Sequence, residues 1–301
     1  LTAEGNIVSS IIEAGNAATV STEGLMTDVA VNTYRDATVT ADHYISGLTV
    51  STIIGDVTVK AREITNSDIY TYLRDVDVTS ETSISGLSVT AERNATVTAE
   101  NHIENSTIDA GDTATVTAEL GKITAIDVSG WDVDVKAYDT IAASNLTARN
   151  TVKVLSETGE LDGLTVTADG EAIAATENAI EATGTWIVGG EYVAENGNVV
   201  LTATVGSVVG AIAVAKNGES NVTVTAAEGE LDDITVAAVG DIIITAEGIT
   251  AGAYISEEGN IELTATGEDI SGVYAKAKLG HVEITTENGY DIIDTTADAY
   301  E

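Results

Sequence analysis

Four residue types are missing from the 301 positions: cysteine, proline, phenylalanine and glutamine. Without cysteine there is no disulfide framework and no thiol chemistry. Proline would remove a hydrogen bond from any central strand, so its absence points to an architecture in which nearly every segment is a paired strand. Aromatic residues are scarce, at two Trp and ten Tyr, and the one methionine is Met26. Bases are also few: 12 Lys and Arg stand against 49 Asp and Glu, a formal net charge of -37. Such a surface repels the phosphates of nucleic acid and of anionic lipid, so neither is an expected partner. No apolar run reaches the roughly 18 residues of a membrane-spanning helix, so no direct membrane insertion is expected. No secretory signal opens the chain, and a start at Leu1 suits a processed product or a piece of something longer. Hydrophobic residues make up 44%, too many for a disordered acidic tail. Near-absence of sulfur together with heavy acidity suits an abundant extracellular, cell-surface protein.

What the chain has is a repeat. Aliphatic anchors recur at Leu1, Val20, Val39, Val59, Val78, Val97, Val116, Val135, Val154, Ile173, Leu201, Val224, Ile244, Leu263 and Ile284. Nine of the fourteen intervals are 19 residues, and the rest are 20, 28, 23, 20 and 21. A small residue lies two positions after every anchor, as in Ala41, Ala99, Ala118 and Ala246, and the residues between are polar, mostly Thr. Period-2 alternation of this kind is a strand with one buried and one wet face. Val97 and Ala99 are therefore expected to point inward and Thr98 outward. A second strand follows, written Ile45-Ser46-Gly47-Leu48-Thr49-Val50, Ile84-Ser85-Gly86-Leu87-Ser88-Val89 or Leu161-Asp162-Gly163-Leu164-Thr165-Val166. Units this short cannot bury a face alone and must stack. The expected fold is all-β, a parallel β-solenoid of about fifteen coils with a 19-residue period. Residues 1–173 are expected as regular coils, 174–200 as an irregular coil or inserted loop, and 201–301 as coils continuing the same solenoid.

Just before the anchors Asp or Asn recurs, as at Asp36, Asp56, Asp75, Asn94, Asp132, Asn198, Asn221, Asp241 and Asn260. These residues are expected to form an inward structural ladder bonded to turn backbone, with a line of outward acidic turns that bind cations as the alternative. A second line of carboxylates, including Glu81, Glu100 and Glu119, lies three positions after the anchors. Loosely associated calcium is the only ion expected, since no specific metal motif is present. Trp186 and Tyr192, in the irregular stretch, are candidate partner contacts. Asn94, Asn105, Asn145 and Asn221 open Asn-x-Ser/Thr sites, which are glycosylation points if the protein is extracellular. Thr-x-Thr pairs such as Thr96/Thr98 and Thr115/Thr117 face outward and could order water, but Asp77 and Asp134 interrupt the array. Outward Thr is also ordinary strand composition. Bases are scattered and His43, His102 and His281 lie far apart. No catalytic residues and no cofactor are expected, and the chain is read as no enzyme.

The stretches Asp56-Val57-Thr58-Val59 and Gly111-Asp112-Thr113-Ala114-Thr115-Val116-Thr117-Ala118, at 19-residue spacing, resemble the repeat region of filamentous haemagglutinin-type secreted proteins. The resemblance covers most of the chain and implies a right-handed parallel β-helix on the cell surface, working as an adhesive or structural rod. The proline-containing secretion segment of such proteins has no counterpart here. The functional expectation is a structural cell-surface protein that assembles with copies of itself, or within a longer repeat chain, into an extracellular filament, sheath or surface layer. The alternative is an adhesin stalk that presents residues 174–200 to a cell-surface glycan or a protein.

Overall fold

The computed structural model describes residues 1–172 and 177–300. It divides into two compact units, Leu1–Asp139 and Thr140–Glu301. Each unit is a stack of parallel β-solenoid coils, about fifteen in the two together, with no helix among the described residues.

In the first unit a representative coil runs through Ala95–Ala99, Ile103–Glu104 and Thr107–Ala110. Its anchor strand pairs in parallel with Val76–Ser80 before it and Thr113–Ala118 after it, Val97 lying between Val78 and Val116. Val97 and Ala99 are fully buried and Thr98 lies on the outer face. The 19-residue spacing thus puts like on like. Val59, Val78, Val97 and Val116 form one internal column, and Ile64, Ile84, Ile103 and Ile123 form a second. Ile69, Val89 and Ile108 stack in a third. Each such side chain contributes roughly 1.5–3 kcal/mol on burial. Ala61, Ser80, Ala99 and Ala118 close the narrow end, where a larger residue would overpack.

The second strand expected from sequence is in fact two strands. Ile45 and Ser46 end the long strand Ala37–Ser46, and Thr49–Thr52 begins afresh after a corner at Gly47, whose φ is +66°. The backbone turns left-handed there, and the chain continues on a different face of the coil. Every coil has this corner. In the first unit it falls at Ser9, Asp28, Gly47, Asn66, Gly86, Asn105 and Ala125. In the second it falls at Ala143, Gly163, Gly189, Gly210, Asp233, Ala251, Gly272 and Asp294. The corner N–H is not lost: that of Asp28 donates to Ser46 O and that of Gly163 to Val188 O. A coil is therefore a triangle of three strands.

The second unit corrects the repeat phase. Val154 is aligned not with Ile173 but with Ala182, which pairs in turn with Leu201. Ile173, with Ala175, lies outside the described residues. The long interval is therefore spent before residue 178, at the corner following Thr165–Ala168. Most of the stretch expected as an irregular coil or inserted loop is coil: Asn178–Gly184, Ile187–Val188 and Glu191–Asn196 each pair with strands on both sides. Sequence misplaced it because Ala182 and Gly184 lack the β-branched signature, while Ala172-Ile173-Ala174-Ala175 imitates it.

Candidate functional site

The most regular polar feature is the corner that leads into each anchor strand. Here the chain leaves the third strand and its backbone donors lose their sheet partners. In the first unit the Oδ1 atoms of Asp36, Asp56 and Asp75 accept from the backbone N–H groups of Asp56, Asp75 and Asn94, at 3.1, 3.3 and 3.0 Å. Asn94 Oδ1 accepts from Thr113 N–H at 3.3 Å, and its amide donates to Asp75 at 3.0 Å. The second unit repeats the device: Asn198 accepts from Asn221 at 2.8 Å, Asn221 from Asp241, and Asp241 from Asn260 at 2.7 Å. Asn260 in turn accepts from His281 N–H at 3.1 Å. Each side chain binds the corner of the next coil. At Asp132 the backbone N–H donates to Asp112 O at 3.2 Å.

The interior side of the same corner is held by buried hydroxyls. Thr52 and Thr71 both donate to Gly55 O, at 2.8 and 2.9 Å, and Ser256 donates to Gly240 O and Gly259 O, each at 2.8 Å. Stacked carboxylates at this corner repel one another. Arg93 stands 4.0 Å from Asp75 and 3.7 Å from Asp112, a half-exposed arrangement that offsets little of the repulsion.

The two candidate contact residues separate. Tyr192 is fully buried, its ring inside the coil, so it offers nothing to a partner. An aromatic next to a supposed loop reads as surface, and the signal that corrects it is Gly190, which makes room for the ring. Trp186 is on the surface, 44% exposed. Its indole lies across Gly206, where any Cβ would collide with the ring. The four sequons also divide. Asn105 and Asn145 are exposed, whereas Asn94 and Asn221 are half-buried ladder members whose side chains are already engaged.

Glu81, Glu100 and Glu119 succeed one another at the corner after the anchor strand, each N–H donating to a carbonyl of the preceding coil. Among the described residues no three acidic or histidine side chains converge into a metal-holding group. His102 uses Nδ1 to accept from Lys122 N–H at 3.3 Å, which ties its ring to the corner of the next coil. The outward threonines form a row in the second unit, with Thr183, Thr202, Thr225, Thr245, Thr264 and Thr285 in register. The adjacent row is mixed, with Glu181, Val200, Ile243, Glu262 and Glu283.

No known protein family, curated protein or solved structure matches the chain.

Proposed function

We propose that this is a non-enzymatic structural protein of the cell surface, whose coils stack with those of other copies, or of a longer repeat chain, into an extracellular filament, sheath or surface layer. The observation that carries the reading is the sameness of successive coil junctions. Within each unit a coil offers its neighbour the same parallel ladder, the same Val, Ile and Ala columns and the same Asx corner. A coil from another copy can satisfy that surface by the same bonds. The likeness of the Gly-Asp-led strands to filamentous haemagglutinin-type repeats supports a cell-surface setting. Calcium held loosely by the acidic corners would reduce repulsion between copies. Electron microscopy of native material, with fibre diffraction for the meridional spacing of about 4.8 Å, tests the proposal. Filaments or sheets with that spacing are expected. Only isolated single molecules at high concentration would sink it.

A second reading keeps one observation in its favour. Trp186 presents an indole face on a glycine shelf, a surface that suits stacking against a sugar ring of a cell-surface glycan. Quenching or blue shift of tryptophan fluorescence on glycan binding, abolished by Trp186→Ala, would favour an adhesin stalk.

A further inference from the structure

The third strands of the second unit carry a surface unlike the rest of this acidic chain. Their outward positions hold Ile212, Val214, Ala237, Ala253, Ile255 and Tyr274, in register over four successive coils, and Val193 of the coil before them shares the register but is buried. Ile212 is 41% and Tyr274 37% exposed. Residues 157–301 contain 27 acids and only three bases, and all three bases, Lys216, Lys276 and Lys278, lie on this face or its edge. Lys216 contacts Glu195 at 2.6 Å and Lys278 contacts Glu257 at 2.6 Å, each pair joining adjacent coils. The face is therefore apolar at its centre and close to neutral at its edge, a surface on which two copies of so acidic a chain can approach without strong repulsion.

The order of the charges along the face specifies how they would meet. Counting by coil, the third strands present Glu191, Val193 and Glu195; then Ile212, Val214 and Lys216; then Thr235 and Ala237; then Ala253, Ile255 and Glu257; then Tyr274, Lys276 and Lys278. A two-fold axis lying along the strand direction at Ala237 reverses the coil order and keeps the position within each strand. It sets Ala237 against Ala237, Val214 against Ile255, Ile212 against Ala253, Lys216 against Glu257 and Glu195 against Lys278. The alternative axis, along the solenoid, sets each coil against itself and so opposes the two-lysine coil with its own copy. Charge thus selects the antiparallel arrangement.

We propose that this face is an isologous, antiparallel self-association surface, occupied by the same face of a second copy. With parallel strands about 4.8 Å apart, five coils by five residues cover roughly 24 by 16 Å, on the order of 800 Å² in total for the two copies. That is below the size of stable specific interfaces, so the dimer is a weak, transient one with dissociation on the order of 100 µM. The proposal concerns side-to-side pairing and does not rest on coil-to-coil stacking.

Sedimentation velocity on the full chain over about 10 to 500 µM tests it, with the melting curve of each variant recorded to establish that the coils are intact. A monomer–dimer equilibrium is expected. Ala237→Glu, which places two carboxylates on the axis, should weaken it at least tenfold, and Lys278→Glu should do the same. Adding Glu195→Lys to Lys278→Glu should recover part of the loss, because the opposed pair is re-formed with its signs exchanged although the pairs of Lys216 with residue 195 and of Glu257 with residue 278 within each copy become like-charged. The chain has no cysteine, so Ala237→Cys introduces a single thiol that a short bismaleimide should link into a covalent dimer, whereas Thr245→Cys, on the anchor-strand face, should not link. A monomer at every concentration overturns the proposal. So does association that ignores both Ala237→Glu and Lys278→Glu, an outcome that would leave stacking of coils untouched.

Discussion

Gly190 leaves open the space that the ring of Tyr192 fills: a Cβ at 190 would stand 3.1 Å from Cε2 of that ring and 2.9 Å from Leu164 O. The relationship recurs at Gly252 and Tyr254, where the Cβ would meet the phenolic oxygen at 3.1 Å. Both hydroxyls are buried without a hydrogen-bond partner among the described residues. A coil otherwise filled by Val, Ile and Ala accommodates a six-membered ring only because the corner two residues earlier gives up its side chain. Gly190 itself has a φ of +92°, which L-residues avoid. Gly190→Ala should lower stability by about 2 kcal/mol through strain and overpacking together. Tyr192→Phe should raise it by about 1 kcal/mol, since only an unpaired polar atom is removed. Thermal melts of the two variants check both signs, and a loss in Tyr192→Phe would mean the hydroxyl is satisfied after all.

Burial pushes the Tyr192 and Tyr254 hydroxyls far above the ordinary phenol value, with the Asp162 charge adding to the effect at Tyr192. A group whose pKa is raised in the folded state keeps its stabilising share below the unfolded value and loses it as pH rises. The fold should therefore weaken above about pH 10, where unfolded phenols ionise. Absorbance titration should show two of the ten tyrosines ionising only as the strand signal in circular dichroism disappears.

The left-handed corners offer a matched pair of tests. Ala143 sits there at φ +48°, and Gly163 occupies the same place one coil later with open space where a Cβ would go. Ala143→Gly should stabilise by about 1 kcal/mol, and Gly163→Ala should destabilise by about the same amount, because only the backbone preference differs. Denaturant midpoints of the two single variants and of the double variant, expected to match wild type, measure this.

That corner is also where sequence reading ran out. The anchor strands were legible because alternation of Val or Ala with Thr is a backbone-level signal, and Val97, Thr98 and Ala99 face as that alternation requires. A bend in the second strand is legible where Gly or Asn interrupts it, but its division into two strands in every coil is not, because the residue at the corner varies. Its corner residue is Gly in some coils, Asn or Asp in others, and Ser or Ala in the rest, and only the backbone angle unites them. The Asx positions were visible as a recurrence. Which donor each oxygen meets depends on the neighbouring coil, and spacing alone does not give it. The apolar outer face of the second unit is not legible in sequence because Val214 and Ile255 look like core residues until the register places them outside.

Asn94 is an uncharged member of a run that includes Asp36, Asp56 and Asp75, and it bonds in both directions. Asn94→Ala removes an acceptor and a donor and should cost about 1–2 kcal/mol. Asn94→Asp keeps the acceptor for Thr113 but stacks another carboxylate on Asp75. Its deficit should be smaller, about 0.5–1 kcal/mol, and should vanish in high salt. Urea melts at low and high ionic strength separate the two variants.

Glu230 and Glu268 approach over Gly248, whose Cβ would stand 3.0 Å from Cβ of Glu268 and 3.5 Å from Cγ of Glu230. The hydrogen bond to Glu268, then desolvation and the charges of Glu268, Asp232 and Glu247 raise the Glu230 carboxyl above its usual range. Folding therefore favours the protonated form: the favourable share is present below the ordinary carboxylate range and is lost as pH rises through the raised value. Glu230→Gln should melt higher than wild type at neutral pH, and the gap should close as pH is lowered through the carboxylate range. A gap that does not depend on pH would refute the raised Glu230 carboxyl.

The three corners of the coil differ in one further respect. From the inward residue of each short strand to that of the following strand is always five positions, as in Ile45 to Val50, Ile187 to Tyr192 and Ile270 to Ala275. The corner before the anchor strand is elastic: Ala91 to Ala95 spans four positions, Ala215 to Val222 seven, and Ala168 to Ile180 twelve. Yet Ala168 still pairs with Ala194, and Ile180 with Val152. One corner thus works as a fixed hinge and another as a splice point. Peptides could be grafted at the elastic corner of chosen coils and displayed at multiples of a known pitch, turning the solenoid into a molecular ruler.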